Sequence, residues 1–106
     1  MDRTTHQIIR DYRILLEGMG VKVKKIILYG SYAIGSSHEY SDIDIVVISD
    51  DFEKMDLWGR LTLLGQVAIR LRKPIEALGY TEKEFISEEK EGFIADEVKT
   101  KGREVK

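Results

Sequence analysis

Two aspartates, Asp42 and Asp44, stand one residue apart at the head of an apolar run, DIDIVVI. On an extended strand they project to one face, with roots about 6.6 Å apart at a rise of ~3.3 Å per residue. Ile43, Ile45 and Val47 then point the other way, toward a core. Carboxylates placed like this repel, at a cost on the order of a few kcal/mol for an effective dielectric of ~20. A divalent cation reverses the sign of that cost. Two Mg²⁺ ions ~3.5–4 Å apart could be spanned by the pair, with one carboxylate bridging. A solvated strand end is the plainer account of the same residues.

Upstream, the run KVKKIILY ends directly in Gly30-Ser31, and Gly35 follows four residues after Ser31. A strand that ends in Gly-Ser and opens a helical turn offers backbone N–H groups and a hydroxyl, which suits the terminal phosphates of a nucleotide. An isolated Gly-Ser is also an ordinary turn. Together the two elements supply a phosphate cradle and a metal clamp on neighbouring strands, and nucleotidyl transfer needs both.

The elements that must hold these groups alternate along the chain. Ile8, Ile9, Tyr12, Leu15, Leu16 and Met19 recur at helical spacing, with Thr4 or Thr5 as a cap and Gly18 and Gly20 as the stop. Residues 22–29 and 42–48 read as strands. Asp50, Asp51 and Asp56 offer caps for a second long helix carrying Leu57, Leu61, Leu64, Ala68 and Leu71. Pro74 can open a third strand over 74–79, because a first strand position needs no ladder donor. Thr81 and Glu84 form a capping box for a further helix with Phe85 and Ile86. The segment after Gly92 reads as a final short helix with a frayed basic end. The expected fold class is α/β (α+β): a small mixed sheet of three to four strands flanked by helices, in a single domain over 1–106.

Composition sets the outer limits. At 106 residues the chain holds one modest core, and 42% apolar with 34% charged residues is globular rather than disordered. A net charge of -2 argues against bulk nucleic-acid binding, which needs a basic face. Without cysteine there is neither a disulfide nor a thiolate metal site. No apolar run approaches a membrane span of ~18 residues, so a cytoplasmic location is the expectation.

Residues 30–44, GSYAIGSSHEYSDID, resemble the signature of the DNA polymerase β-like nucleotidyltransferases: Gly-Ser, a spacer, then Asp-x-Asp. Here ten residues lie between Ser31 and Asp42. Ala33, Gly35, Ser41 and Ile43 also match residue types usual in small prokaryotic members. The resemblance extends through PIEALGYTEKEF, and the chain length matches the minimal nucleotidyltransferase (MNT) subgroup. It implies a short mixed sheet with both aspartates on central strands and a third carboxylate on a later strand, a position filled here by Glu76 in place of the usual aspartate. Tyr32 and Ile34 stand where the family often has arginine. In the implied reaction Gly30 and Ser31 hold the β- and γ-phosphates of ATP. Asp42, Asp44 and Glu76 bind two Mg²⁺ ions, and Glu76 accepts the acceptor's proton.

Three functions follow from the resemblance. The first is transfer of AMP to a hydroxyl, such as a tyrosine of a HEPN-domain toxin partner, by an antitoxin. The second is a non-catalytic module that binds nucleotide or the HEPN protein. The third is a small-molecule nucleotidyltransferase, placed last because no second domain is present to build a pocket. Homo-oligomerisation is left open. Among the remaining residues, His38 reads as a solvated loop residue, His6 as exposed, and Trp58, Tyr29 and Phe85 as core or interface. The run EEKE at 88–91 reads as a solvated helix face, and Lys24, Lys25, Arg70, Arg72 and Lys73 as candidate phosphate partners.

Overall fold

The structure, a computed structural model, describes residues 3–35, 42–87 and 98–106. A first helix, α1, runs Arg3–Gly18 and buries Thr5, Ile9, Tyr12 and Leu16 on one stripe. It begins at Arg3, so Thr4 and Thr5 lie inside it rather than capping it. Beyond Gly18 the chain turns through Gly20 at φ 95°, and the Val21 N–H reaches back to the Leu16 carbonyl.

Strand β1, Lys25–Tyr29, pairs antiparallel with β2, Ile43–Ile48. Between them a single four-residue turn of helix, α2, covers Ser31–Ile34. After β2 come a 3₁₀ turn, Asp50–Lys54, and the long helix α3, Leu57–Leu71, which Asp56 caps by accepting from the Gly59 N–H at 2.7 Å. α3 is the crossover that lets β3, Ile75–Tyr80, lie parallel to β2. Pro74 stands just outside β3 and contributes only its carbonyl, which accepts from the Ile43 N–H at 2.7 Å.

The capping box then starts α4, Glu82–Ser87: the Thr81 hydroxyl accepts from the Glu84 N–H and the Glu84 carboxylate accepts from the Thr81 N–H. The helix expected after Gly92 falls mainly within 88–97, outside the described residues. Val98 and Lys99 are helical, and a strand that was not expected, β4, Arg103–Glu104, is then added antiparallel to β1. Gly102 permits this, because a Cβ there would run into the Val98 carbonyl and the Ile27 side chain. Val105 then drops into the core, donating its N–H to the Ile26 carbonyl at 2.8 Å.

The sheet order is β3-β2-β1-β4. One face carries Ile26, Leu28, Ile43, Ile45, Val47 and Ile75 against α1 and α3. The other carries a smaller cluster of Ile27, Tyr29, Val46, Ile48, Phe85 and Val98. Tyr12 joins the two long helices, donating its hydroxyl to the Leu64 carbonyl at 2.8 Å, so this buried ring leaves no polar atom unmet.

Candidate active site

The site lies on the smaller face, where β1, β2 and β3 come side by side. Asp44 on β2 stands opposite Tyr29 on β1 and opposite Glu76 on β3. The alternation that sends Ile43 and Ile45 into the helix-covered core sends Asp44 to the other face. Glu76 reaches the same face by the same alternation, between Ile75 and Ala77.

The two side chains lie level with one another across the parallel β2–β3 ladder. The Asp44 carboxyl is pushed up to about 6, first by burial, then by its contact with the Glu76 carboxylate, then by the charges of Glu76 and Asp42. The Tyr29 hydroxyl is raised to about 12, by burial first and then by Asp44 and Glu76. Asp42 does not join the contact. It sits exposed just before β2, in a hollow of about 400 Å³ that it shares with Arg72, Lys73 and Pro74.

Gly30 presses directly against Asp44. A Cβ added there would overlap the Asp44 Oδ2 atom, and Gly30 adopts φ 74°, which L residues avoid. Its conformation turns the chain out of β1 and into α2, where Gly35 closes the turn in the left-handed region with its N–H on the Ser31 carbonyl. Arg103 on β4 braces this turn, donating from Nε to the Ala33 carbonyl at 3.1 Å. Gly30-Ser31 and the Asp44–Glu76 pair are thereby adjacent across β1 and β2.

The donor set suits a hard divalent ion: oxygen ligands close together, with the Asp44 carboxyl raised by burial and by its acidic neighbours. Among the described residues no three acidic or histidine groups converge into a cage. Asp44 and Glu76 would therefore hold Mg²⁺ with Asp42 drawn in and phosphate oxygens completing the shell, which is how Mg²⁺ is commonly bound.

Residues 12–106 match the family model described as the nucleotidyltransferase domain. The chain belongs to the nucleotidyltransferase domain family. Its fold is the mixed sheet with flanking helices expected of that family. A provisionally named protein adenylyltransferase of Methanocaldococcus jannaschii is 50% identical over 50 residues, covering 45% of this chain. The chain spans half the length of that curated relative. Among solved structures, a nucleotidyltransferase of Sulfolobus solfataricus, also provisionally named, aligns with a TM-score of 0.58 at 17% identity, over 98% of this chain and 87% of its own. A toxin–antitoxin structure with AMP-PNP aligns at 0.56 and 23% identity, over 90% of this chain and 70% of that one. The Shewanella oneidensis complex of a tri-AMPylated HEPN toxin with its MNT antitoxin aligns at 0.56 and 22% identity, over 95% and 71%.

Several other expectations for this nucleotidyltransferase domain change in the structure. Lys24 is not free for phosphate, because it is paired with Asp50 at 2.7 Å and Glu82 at 2.6 Å. Trp58 is 76% exposed and not core, while Phe85 is buried. His6 is half-buried rather than exposed, and His38 and the run 88–91 lie outside the described residues.

Arg60 was not singled out by sequence reasoning, yet it is buried under β3. It donates to the carbonyls of Phe52 and Gly79 and, in a fork, to both oxygens of Glu84, at 2.6 and 3.1 Å. A capping-box glutamate three residues past Thr81 was the one available signal, since it needs a second partner when it is not fully solvated.

Proposed function

We propose that this domain transfers a nucleoside monophosphate, with AMP from ATP favoured, to a hydroxyl group on a protein. The observation that carries the reading is the facing Asp44–Glu76 pair, with Gly30-Ser31 packed directly against Asp44. Two carboxylates facing one another, with Asp44 raised by burial and by its acidic neighbours, favour a bound cation between them.

In this reading Gly30 and Ser31 receive the β- and γ-phosphates through backbone N–H groups and the Ser31 hydroxyl. Asp42, Asp44 and Glu76 hold two Mg²⁺ ions. When bound, these supply charge neutralisation at the α-phosphate and on the departing pyrophosphate. Glu76, on the outermost strand and exposed, is the group that an acceptor hydroxyl reaches, and it takes the hydroxyl proton. The acceptor oxygen bonds to the α-phosphorus as the bond to the β-phosphate oxygen breaks, and pyrophosphate leaves. Tyr29 stays protonated throughout the physiological range, so it acts as a neutral wall beside the carboxylates.

The acceptor class rests on the relatives. One is provisionally named a protein adenylyltransferase, and one solved neighbour contains an AMPylated HEPN toxin with its antitoxin. A tyrosine of a HEPN-domain partner is the acceptor we favour, which makes this chain an antitoxin that acts in the cytoplasm. A binding module that acts by occlusion is the second reading, and Asp42 standing apart from Asp44 and Glu76 is the observation in its favour.

Incubation of the protein with ATP, Mg²⁺ and cell lysate separates the two. With label in the α-phosphate a protein band becomes labelled, and with label in the γ-phosphate none does. Glu76→Gln abolishes the transfer while ATP binding persists, and Glu76→Asp costs about 10²-fold through misplacement by ~1 Å. Full transfer by Glu76→Gln removes Glu76 from the mechanism and points to Glu82 or Glu84, or to Glu39 in the segment 36–41.

A further inference from the structure

We propose that the protein acceptor is held as an added strand along the open edge of β3, an inference that rests on the transferase reading above. β3 is an outermost strand of the sheet. The carbonyls of Pro74 and Tyr80 point inward to β2, accepting from Ile43 and Ser49. With a period of two, Glu76 and Leu78 also turn inward, while Ile75, Ala77 and Gly79 turn out. Two outward groups are already satisfied within the chain: the Gly79 carbonyl accepts from Arg60, and the Ile75 N–H donates to Lys73. The N–H and carbonyl of Ala77 are turned outward with no partner among the described residues.

A groove runs along this edge. One hollow, about 450 Å³, wraps the strand from Leu61 and Gly65 on α3 to Tyr29 and Glu76 on the opposite face. A second, about 360 Å³, continues past Leu78 between Leu57 and Glu84. Leu57 is 68% exposed, so the α3 wall is apolar and not covered by the described residues. The ends differ in charge: exposed Arg72 and Lys73 stand at one, while at the other Glu84 is neutralised by Arg60 beside Asp56. The occupant this fits is an extended, uninterrupted segment of another protein, acidic toward Arg72 and carrying a hydroxyl side chain at its middle.

Strand addition solves a positioning problem. A strand added about 4.8 Å from β3 alternates its side chains between the two faces in step with β3. The residue level with Ala77 packs toward Leu61. Its neighbour, level with Glu76, falls on the carboxylate face beside the group that takes its proton. Backbone hydrogen bonds give the grip and the alternation sets the register, without a dedicated second domain.

The test uses the full chain, α-labelled ATP with Mg²⁺, and lysate as the acceptor source, comparing wild type with Ala77→Pro. Proline removes an N–H that β2 does not use, so the ladder survives. Circular dichroism and calorimetric binding of ATP report that the variant is folded. We expect labelling of the protein acceptor to fall about tenfold or more at low lysate and to recover as lysate is raised, the behaviour of lost binding. Equal labelling by the two proteins overturns edge docking and leaves the transferase reading standing. No label even with wild type, despite ATP binding, overturns both. Light scattering that finds a wild-type dimer and an Ala77→Pro monomer assigns the edge to a second copy and also overturns the proposal. If Ala77→Pro does not fold, Leu61→Glu on the groove wall carries the same comparison, with the same outcomes.

Discussion

The two faces of β2 are built from alternate residues of one short strand, yet they obey opposite rules. On one, Ile43, Ile45 and Val47 lie against α1 and α3, buried beside Leu64 and Val67. On the other, Asp44 meets Glu76 across a parallel ladder, and burial together with that neighbour raises the Asp44 carboxyl. The apolar face gains stability from burial, at ~25 cal/mol per Å² of apolar surface. That gain fixes a register which forces two carboxylates together on the reverse side. The difference teaches that the unfavourable contact is maintained by the core, and that a substitution on one face should not behave like one on the other.

The largest expected effect separates the faces cleanly. Asp44→Asn keeps the shape of the side chain and removes a charge, so transfer activity should fall by orders of magnitude while the fold survives. Its melting temperature at pH 8 should equal or exceed that of the wild type. An unfolded Asp44→Asn would mean that the carboxylate is structural. Conversely, Leu64→Ala on the apolar face should lose about 2–5 kcal/mol in denaturant unfolding. Its ATP affinity, measured where it is still folded, should stay near wild type.

Gly30→Ala tests the seam between strand and site. It imposes a Cβ at φ 74° and against Asp44 Oδ2, a strain of ~1–3 kcal/mol. Because relief must come from moving Asp44, ATP binding should suffer more than the melting temperature. A variant that melts early and binds ATP normally would break that link.

The smallest effect is a pH slope. Folded Asp44 titrates near 6, against an ordinary value of 3.8, so between those pH values the folded state binds more protons than the unfolded chain. Stability of the metal-free protein should therefore fall as pH rises through that window, and be fully retained below it. The group is partly exposed, so solvent screening leaves about 1 kcal/mol. Urea unfolding at pH 4.5 and 7.5 measures it, and Asp44→Asn should flatten the slope. A wild-type stability that rises across the window would contradict the raised Asp44 carboxyl.

Much of this architecture was legible before any coordinates. Period-two alternation placed Asp44 opposite Ile43 and Ile45, and the capping box placed the start of α4. That Gly30 and Asp44 belong together was legible because residue type and spacing are local signals, and the two do pack against one another. What escaped was set by distant partners. Arg60 reads as a surface residue until carbonyls of Phe52 and Gly79 and the Glu84 carboxylate gather around it. Its burial, with that of Val67, shows the inner face of α3 to be rotated away from Leu57 and Leu61. β4 was missed because two residues carry no periodicity, and only β1 makes them a strand. The separation of Asp42 from the pair was likewise invisible, since Asp42 precedes the strand and alternation no longer fixes its direction.

The central claim is that Asp44 and Glu76 form half of a metal site which a triphosphate completes. Calorimetric titration of ATP into the wild-type protein, once with Mg²⁺ and once with EDTA, tests it most directly. The account predicts clear binding with Mg²⁺ and affinity weaker by about tenfold or more with EDTA, because phosphate oxygens and carboxylates repel without the ion between them. Equal affinity in the two titrations would contradict it.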